Sequence, residues 1–228
     1  LEFRRVLFRS PQQGWTDSTT LGAIFAGLLV LGGFLLWELR SEHPMLDVRF
    51  FKNARFSAAS FAIMLVFFSL FGFSFMLTQY FQFVRGYDPL ESGLHTLPFA
   101  VGAGVTAPIA ARLSLRFGPR RVVPVGLLFM GIAQISATTF EADTRYFGPV
   151  VGVMVLMACG LSLVTSPSSE SVMGSLPREM AGVGSAINDT GREVGGTLGV
   201  AIIGSIFAST YRSEEHTSEL QSHHDLVC

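Results

Sequence analysis

Six long apolar runs, each closed by a short polar turn, organise the 228 residues of this chain. "STTLGAIFAGLLVLGGFLLW" (18–37) and "FSAASFAIMLVFFSLFGFSFMLTQYFQFV" (56–84) contain no charged residue. "SGLHTLPFAVGAGVTAPIAA" (92–111) carries only His95 near one end, and "VVPVGLLFMGIAQISATTF" (122–140) and "YFGPVVGVMVLMACGLSLVTSPSS" (146–169) follow. A sixth run, over 182–210, turns apolar only at Val194, because Asp189, Arg192 and Glu193 lie in its first half. A helix needs ~20 mostly apolar residues to cross ~30 Å of hydrocarbon with every backbone group satisfied inside the segment. One such run is compatible with a soluble core helix; six in succession are not. The pattern predicts an all-α, polytopic membrane protein of about six transmembrane helices.

The polar turns alternate in charge. Arg40, Arg49, Lys52 and Arg55 fill the first connection, Arg112, Arg116, Arg120 and Arg121 the third, and Arg178 lies in the fifth. The second and fourth hold Arg85 and Arg145, outnumbered by Asp88 with Glu91 and by Glu141 with Asp143. Basic residues accumulate on the cytoplasmic side of membrane helices, so the odd connections are expected inside and the chain in the cell's inner (plasma) membrane.

The two ends of the chain follow another rule. Arg212–Gln221 can be written in codons as AGA TCG GAA GAG CAC ACG TCT GAA CTC CAG, and the reverse complement of that string translates as LEFRRVLFRS, which is residues 1–10. Natural termini have no reason to encode opposite strands of one DNA string, whereas a fragment flanked by one sequencing adapter does. Residues 1–10 and 212–228 are therefore expected to be adapter-derived and are set aside from fold reasoning. That also removes His216, His223 and His224 as metal ligands. The two ends hold four of the 16 basic and five of the 17 acidic residues, so the stretch between them is neutral, with twelve of each. A neutral segment gives no field that would draw nucleic acid. Cys159, alone in an apolar run, excludes a disulfide framework and reads as a buried thiol.

Chemistry-bearing motifs are scarce. There is no H-E-x-x-H pair, P-loop or G-x-S-x-G elbow, and no cofactor or metal site is expected. Ionisable groups inside a membrane are costly and are functional candidates for that reason. Asp189 and Arg192 stand at i, i+3, and Asp189 and Glu193 at i, i+4, so the three can meet on one side of the last helix. Arg192 could neutralise one carboxylate while the other titrates, or it could snorkel to the headgroups. Gln79 and Gln82 could donate to a ligand or link helices. His95 and Glu170 read as interfacial. Gly191, Gly195 and Gly199 repeat every four residues, a stripe that lets a neighbouring helix approach closely.

"RLSLRFGPRR" (112–121), between the third and fourth runs, resembles the cytoplasmic signature of the major facilitator superfamily, roughly G-x-L-a-D-R-x-G-R-R. Arg112, Leu113, Arg116, Gly118, Arg120 and Arg121 fit, Ala111 replaces the leading Gly, and Leu115 stands where the acid would be. The departure at Leu115 removes the acid's capping role; a tight Gly-Pro turn held by a basic cluster at the cytoplasmic face remains. "WELRSEHPMLDVRFFKNARF" (37–56), "TQYFQFVRGYDPLESGLHTLP" (78–98) and "LPREMAGVGSAINDTGREVGGTLGVAIIGS" (176–205) are similar to the fourteen-span drug:proton antiporters of that superfamily.

The resemblance implies that residues 11–55 hold the last span of a central hairpin with its cytoplasmic connection, and 56–211 five spans of a C-terminal transporter bundle. It implies export of amphipathic drugs or other small organic compounds in exchange for protons. The bilayer, the substrate, protons and an N-terminal bundle not contained in this chain would then be its partners. The chain alone is not expected to transport. A non-transporting membrane scaffold or sensor sharing the fold is the alternative. Sequencing the gene with adapter-free primers is expected to yield other codons at both ends; recovery of the same 10- and 17-residue ends would overturn the adapter assignment.

Overall fold

A computed structural model describes residues 18–41, 48–177 and 180–225, and every regular element among them is helical. The chain divides into two units, residues 1–50 and 51–228. In the first unit α1 (Ser18–Arg40) is apolar on all faces, with Leu21, Leu28, Val30 and Trp37 exposed, as suits a helix in contact with lipid.

The second unit is a helical bundle. Its first helix, α2 (Ala54–Gln79), starts at Asn53, whose side chain accepts the Arg55 N–H at 3.0 Å and satisfies one of the helix's free donors. It runs on through a π-helical turn, Tyr80–Val84, closed by Arg85 N–H donating to the Tyr80 carbonyl. The short α3 (Pro89–His95) is capped by Asp88, which accepts the Glu91 N–H at 2.7 Å, with Pro89 in the first turn where its missing N–H costs nothing. Then come α4 (Leu97–Phe117) and α5 (Pro119–Ala137). A π-helical turn at Tyr146–Val150 leads into α6 (Val151–Met173), and α7 (Ala181–Asp225) follows.

Among the described residues, five helical stretches are long and apolar enough to cross a membrane: Leu21–Arg40, Ala54–Val84, Pro89–Phe117, Pro119–Ala137 and Tyr146–Met173. The sixth expected crossing, over 182–210, falls on a helix as well. Its backbone also stays helical to Asp225, beyond residue 210 where the predicted span stops. Propagating an existing helix is far cheaper than nucleating one, so good helix formers such as Glu214, Glu215, Glu219, Leu220 and Gln221 prolong it readily. Residues 1–10 lie outside the described residues.

The bundle is built around α6. Met154, Met157 and Ala158 are fully buried, and α6 packs against α5, α4 and α2. Val66, Phe73 and Phe81 from α2 and its π turn join Met130 and Ala133 of α5 and Val150 and Val164 to form the core. Contact between α5 and α6 is reciprocal at two glycines: a Cβ on Gly126 would stand 2.9 Å from the Gly160 carbonyl oxygen, and one on Gly160 would stand 2.7 Å from that of Gly126. Thr106 Oγ1 of α4 meets the partly buried Cys159 Sγ at 3.2 Å.

The second seam joins α7 to α2, lying parallel. A Cβ on Gly195 would fall on the Met64 carbonyl, and one on Gly199 on that of Phe68. Further along, Ile203 packs over Gly72, and Phe75 meets Phe207 edge-on at 6.1 Å. The glycine stripe is thus a packing surface where backbones touch, tightest at Gly195 and Gly199 and looser at Gly191, whose nearest neighbours are at ordinary contact distance. Gly195→Ala is expected to destabilise the bundle by about 1–3 kcal/mol, the usual cost of overpacking. Gly104→Ala, with open space around it, serves as the control. The thermal midpoint in detergent checks this; equal midpoints for the two variants would sink it.

Candidate functional site

Asp189, Arg192 and Glu193 share α7, but the structure does not bring them together. Asp189 and Glu193 are exposed, and none of the three forms an ion pair among the described residues. Arg192 is partly buried and turns toward α2, its guanidinium carbon 5.2 Å from the centre of the Phe67 ring. Its Nε is buried without a hydrogen-bond partner among the described residues. Phe67 lies 13 residues into α2, about 20 Å along the helix at ~1.5 Å per residue. Arg192 is therefore held against the face of α2, within the bundle. A desolvated cation–π contact contributes about 2 kcal/mol. A guanidinium at the centre of a membrane helix costs about 3 kcal/mol or more.

Gln79, which ends α2, and Gln82, in the π turn beyond it, part company. Gln79 lines a cavity of about 290 Å³ together with Phe73, Leu77, Tyr80, Phe140 and Phe207. Gln82 does not line it. Opposite Gln79 stands Gln134 of α5, whose amide donates to the Ser69 carbonyl and Ser69 Oγ, both at 3.2 Å, and so ties α5 to α2. Sequence reasoning missed Gln134, although it is the one amide in an otherwise apolar span and that signal was available.

At one end of the bundle α4 and α5 are joined by a single residue, Gly118, with φ +79°. Its N–H donates to the Ser114 carbonyl at 2.9 Å, and its own carbonyl accepts from Arg121 and Val122. An L side chain is strained at that φ, and Pro119 fixes the first helical turn beyond it. Arg112, Arg116, Arg120 and Arg121 surround the turn and are all exposed, and Leu115, in the acid's position of the signature, is 81% exposed.

The opposite end is tied by aromatic and backbone contacts. Arg85 Nε donates to Tyr80 Oη at 3.0 Å and its Nη2 to the Thr144 carbonyl, while Tyr80 Oη donates to the Glu141 carbonyl at 3.0 Å. His95 is held between the rings of Tyr87 and Tyr146, each 4.6 Å away, and its carbonyl accepts from Tyr146 Oη at 2.8 Å. The sequence could not show this aromatic enclosure, because Tyr146 lies 51 residues away. Glu170 is exposed near the end of α6. No group of three or more metal-ligating side chains occurs among the described residues.

A neutral bundle of apolar helices with a charge and amides set along its interior seams is a polytopic helical membrane protein. Residues 13–209 match the model of the Major Facilitator Superfamily, and the chain belongs to that family of membrane transporters. It is 34% identical to the tetracenomycin C resistance and export protein of Streptomyces glaucescens, over 89% of this chain and 38% of that protein. It is 31% identical to the multidrug resistance protein Stp of Mycobacterium tuberculosis, over 89% of this chain and 37% of that one. With the multidrug efflux pump LfrA of Mycolicibacterium smegmatis the identity is also 31%, over 86% and 39%. The chain thus spans less than two fifths of the length of these relatives.

The Gly118 turn yields a direct test. Gly118→Ala is expected to cost about 1–2 kcal/mol through its positive φ. Gly93→Ala, inside α3 with open space around it, should be neutral or slightly stabilising. A thermal midpoint for Gly118→Ala at or above that of the wild type would contradict the assignment.

Proposed function

We propose that this chain is part of a secondary active exporter that moves amphipathic drugs or other small organic compounds out of the cell in exchange for protons. One observation carries the reading: relatives matching 86–89% of the chain are described as a resistance and export protein, a multidrug resistance protein and a multidrug efflux pump. In this reading the Gly118 end, with Arg112, Arg116, Arg120 and Arg121, faces the cytoplasm and anchors the gating turn of a protein in the inner (plasma) membrane. A second bundle supplies the other wall of the path and the main proton-coupling acids, and the two bundles rock about a site near the membrane midplane. Arg192, with Asp189 and Glu193 on the same helix, and Gln79 and Gln82 are the polar groups this bundle contributes to the path.

The test uses the complete transporter in proteoliposomes with an imposed pH gradient. Ethidium or another amphipathic dye is expected to move against its own gradient and to release protons as it does so. Dye flux that persists unchanged after an ionophore collapses the pH gradient would rule out proton antiport. Absence of both dye and proton movement across a panel of amphipathic compounds would remove the exporter reading.

A further inference from the structure

The cavity that Gln79 lines lies within one bundle, between α2, α5 and α7, and its walls are of two kinds. Phe73, Tyr80, Phe140 and Phe207 give it aromatic faces, and Tyr80 and Phe140 meet there with ring centres 5.5 Å apart. Gln79, Gln134 and Thr138 give it polar atoms, and no charged side chain lines it. The free amide atoms are within reach of a ligand. Among the described residues the buried polar side-chain atoms without a partner belong to Ser60, Ser92, Ser168 and Arg192, and neither glutamine is one of them.

The bonds these polar groups already make decide what they can still offer. Gln134 directs its amide N–H groups at Ser69, so its carbonyl oxygen remains, an acceptor. The Thr138 hydroxyl donates to the Ile135 carbonyl at 2.7 Å and that of Tyr80 to the Glu141 carbonyl, so both can only accept. The Gln79 side chain has no hydrogen-bond partner among the described residues. Acceptors outnumber donors, and the complementary ligand brings a donor of its own. An ionised ligand would enter without a counter-charge, which an apolar interior penalises heavily. An apolar cavity of about 150 Å³ accepts benzene, so one of about 290 Å³ has room for two fused rings.

We propose that this cavity binds a neutral aromatic molecule of about two fused rings, a phenol or an indole, whose O–H or N–H donates to the Gln134 carbonyl. The site is built by this bundle alone and does not depend on the exporter reading. Permanent cations such as ethidium find no counter-charge here and would pass between the two bundles instead. The probes are β-naphthol, its methyl ether and β-naphthoate, which share two fused rings and offer a donor, no donor and a charge at neutral pH. Binding to the detergent-solubilised complete transporter is measured by equilibrium dialysis with the same micelles in both compartments, so that partition into detergent cancels.

The wild type is expected to bind β-naphthol saturably, about three- to tenfold more tightly than the methyl ether, the range that one hydrogen bond gives. β-Naphthoate should bind about tenfold or more weakly than the naphthol. Ala137→Leu, which fills the cavity from α5, should weaken β-naphthol about tenfold or more. Gln134→Met should bring the naphthol to within about twofold of its ether, a ratio from which any loss of the Ser69 tie cancels. Should Ala137→Leu fail to fold, that ratio decides. A wild type that binds the naphthol and its ether alike, as a purely apolar space for a lipid chain would, overturns the proposal. So does saturable binding that Ala137→Leu leaves unchanged, which places the ligand elsewhere, or a preference that survives Gln134→Met. None of these outcomes touches the exporter reading, which is decided by dye and proton flux.

Discussion

Contact between bare backbones at the α2–α7 seam sets the arrangement of much of this bundle. In lipid no hydrophobic force drives one apolar helix onto another, so association depends on van der Waals fit and on the polar groups that can be paired. Gly195 and Gly199 let α7 settle against the carbonyls of Met64 and Phe68, closer than any side chain would allow. That approach fixes the rotation of α7. Arg192, lying next to the glycine face, is carried to the edge of the seam and onto the Phe67 ring, whereas Asp189 and Glu193 are left outside. The placement of the charge follows from the packing.

Much of the architecture was legible before any coordinates, because membrane helices announce themselves by composition. The runs at 56–84, 92–111 and 146–169 fall on helices, the run at 122–140 outlasts α5 by three residues, and the one-residue Gly118 link was written in Gly-Pro. The glycine stripe on α7 was legible as a surface for close approach. What spacing could not supply was the direction in which polar side chains turn. Residues three and four apart on a helix share a side, yet they differ by tens of degrees about its axis at about 100° per residue. Whether Arg192 meets its acidic neighbours is decided by α2, which the local sequence of α7 does not contain. Gln79 and Gln82 show the same limit, since only the cavity between α2 and α5 separates their roles.

The polar groups of the interior fall into two levels. Gln79 lies 12 residues beyond Phe67 on α2, about 18 Å further along at ~1.5 Å per residue. The amide-lined cavity and the Arg192 junction are therefore separate features of the same helix. Between them the helix is held by Ser69 accepting from Gln134. A bound molecule at one level would have to act on the other through the position of α2 itself.

The single residue between α4 and α5 has a mechanical consequence. Consecutive Cα atoms are ~3.8 Å apart, so Phe117 and Pro119 can never stand more than about 7.6 Å from one another. These helices are hinged together like the legs of a pair of compasses: they can open at the far end, but they cannot slide past each other. The loop over 138–145, between α5 and the turn before α6, is longer, but its Glu141 and Thr144 carbonyls are held by Tyr80 and Arg85. Any shift of α6 along its neighbours must carry those contacts with it or break them, while α4 and α5 can change only the angle between them.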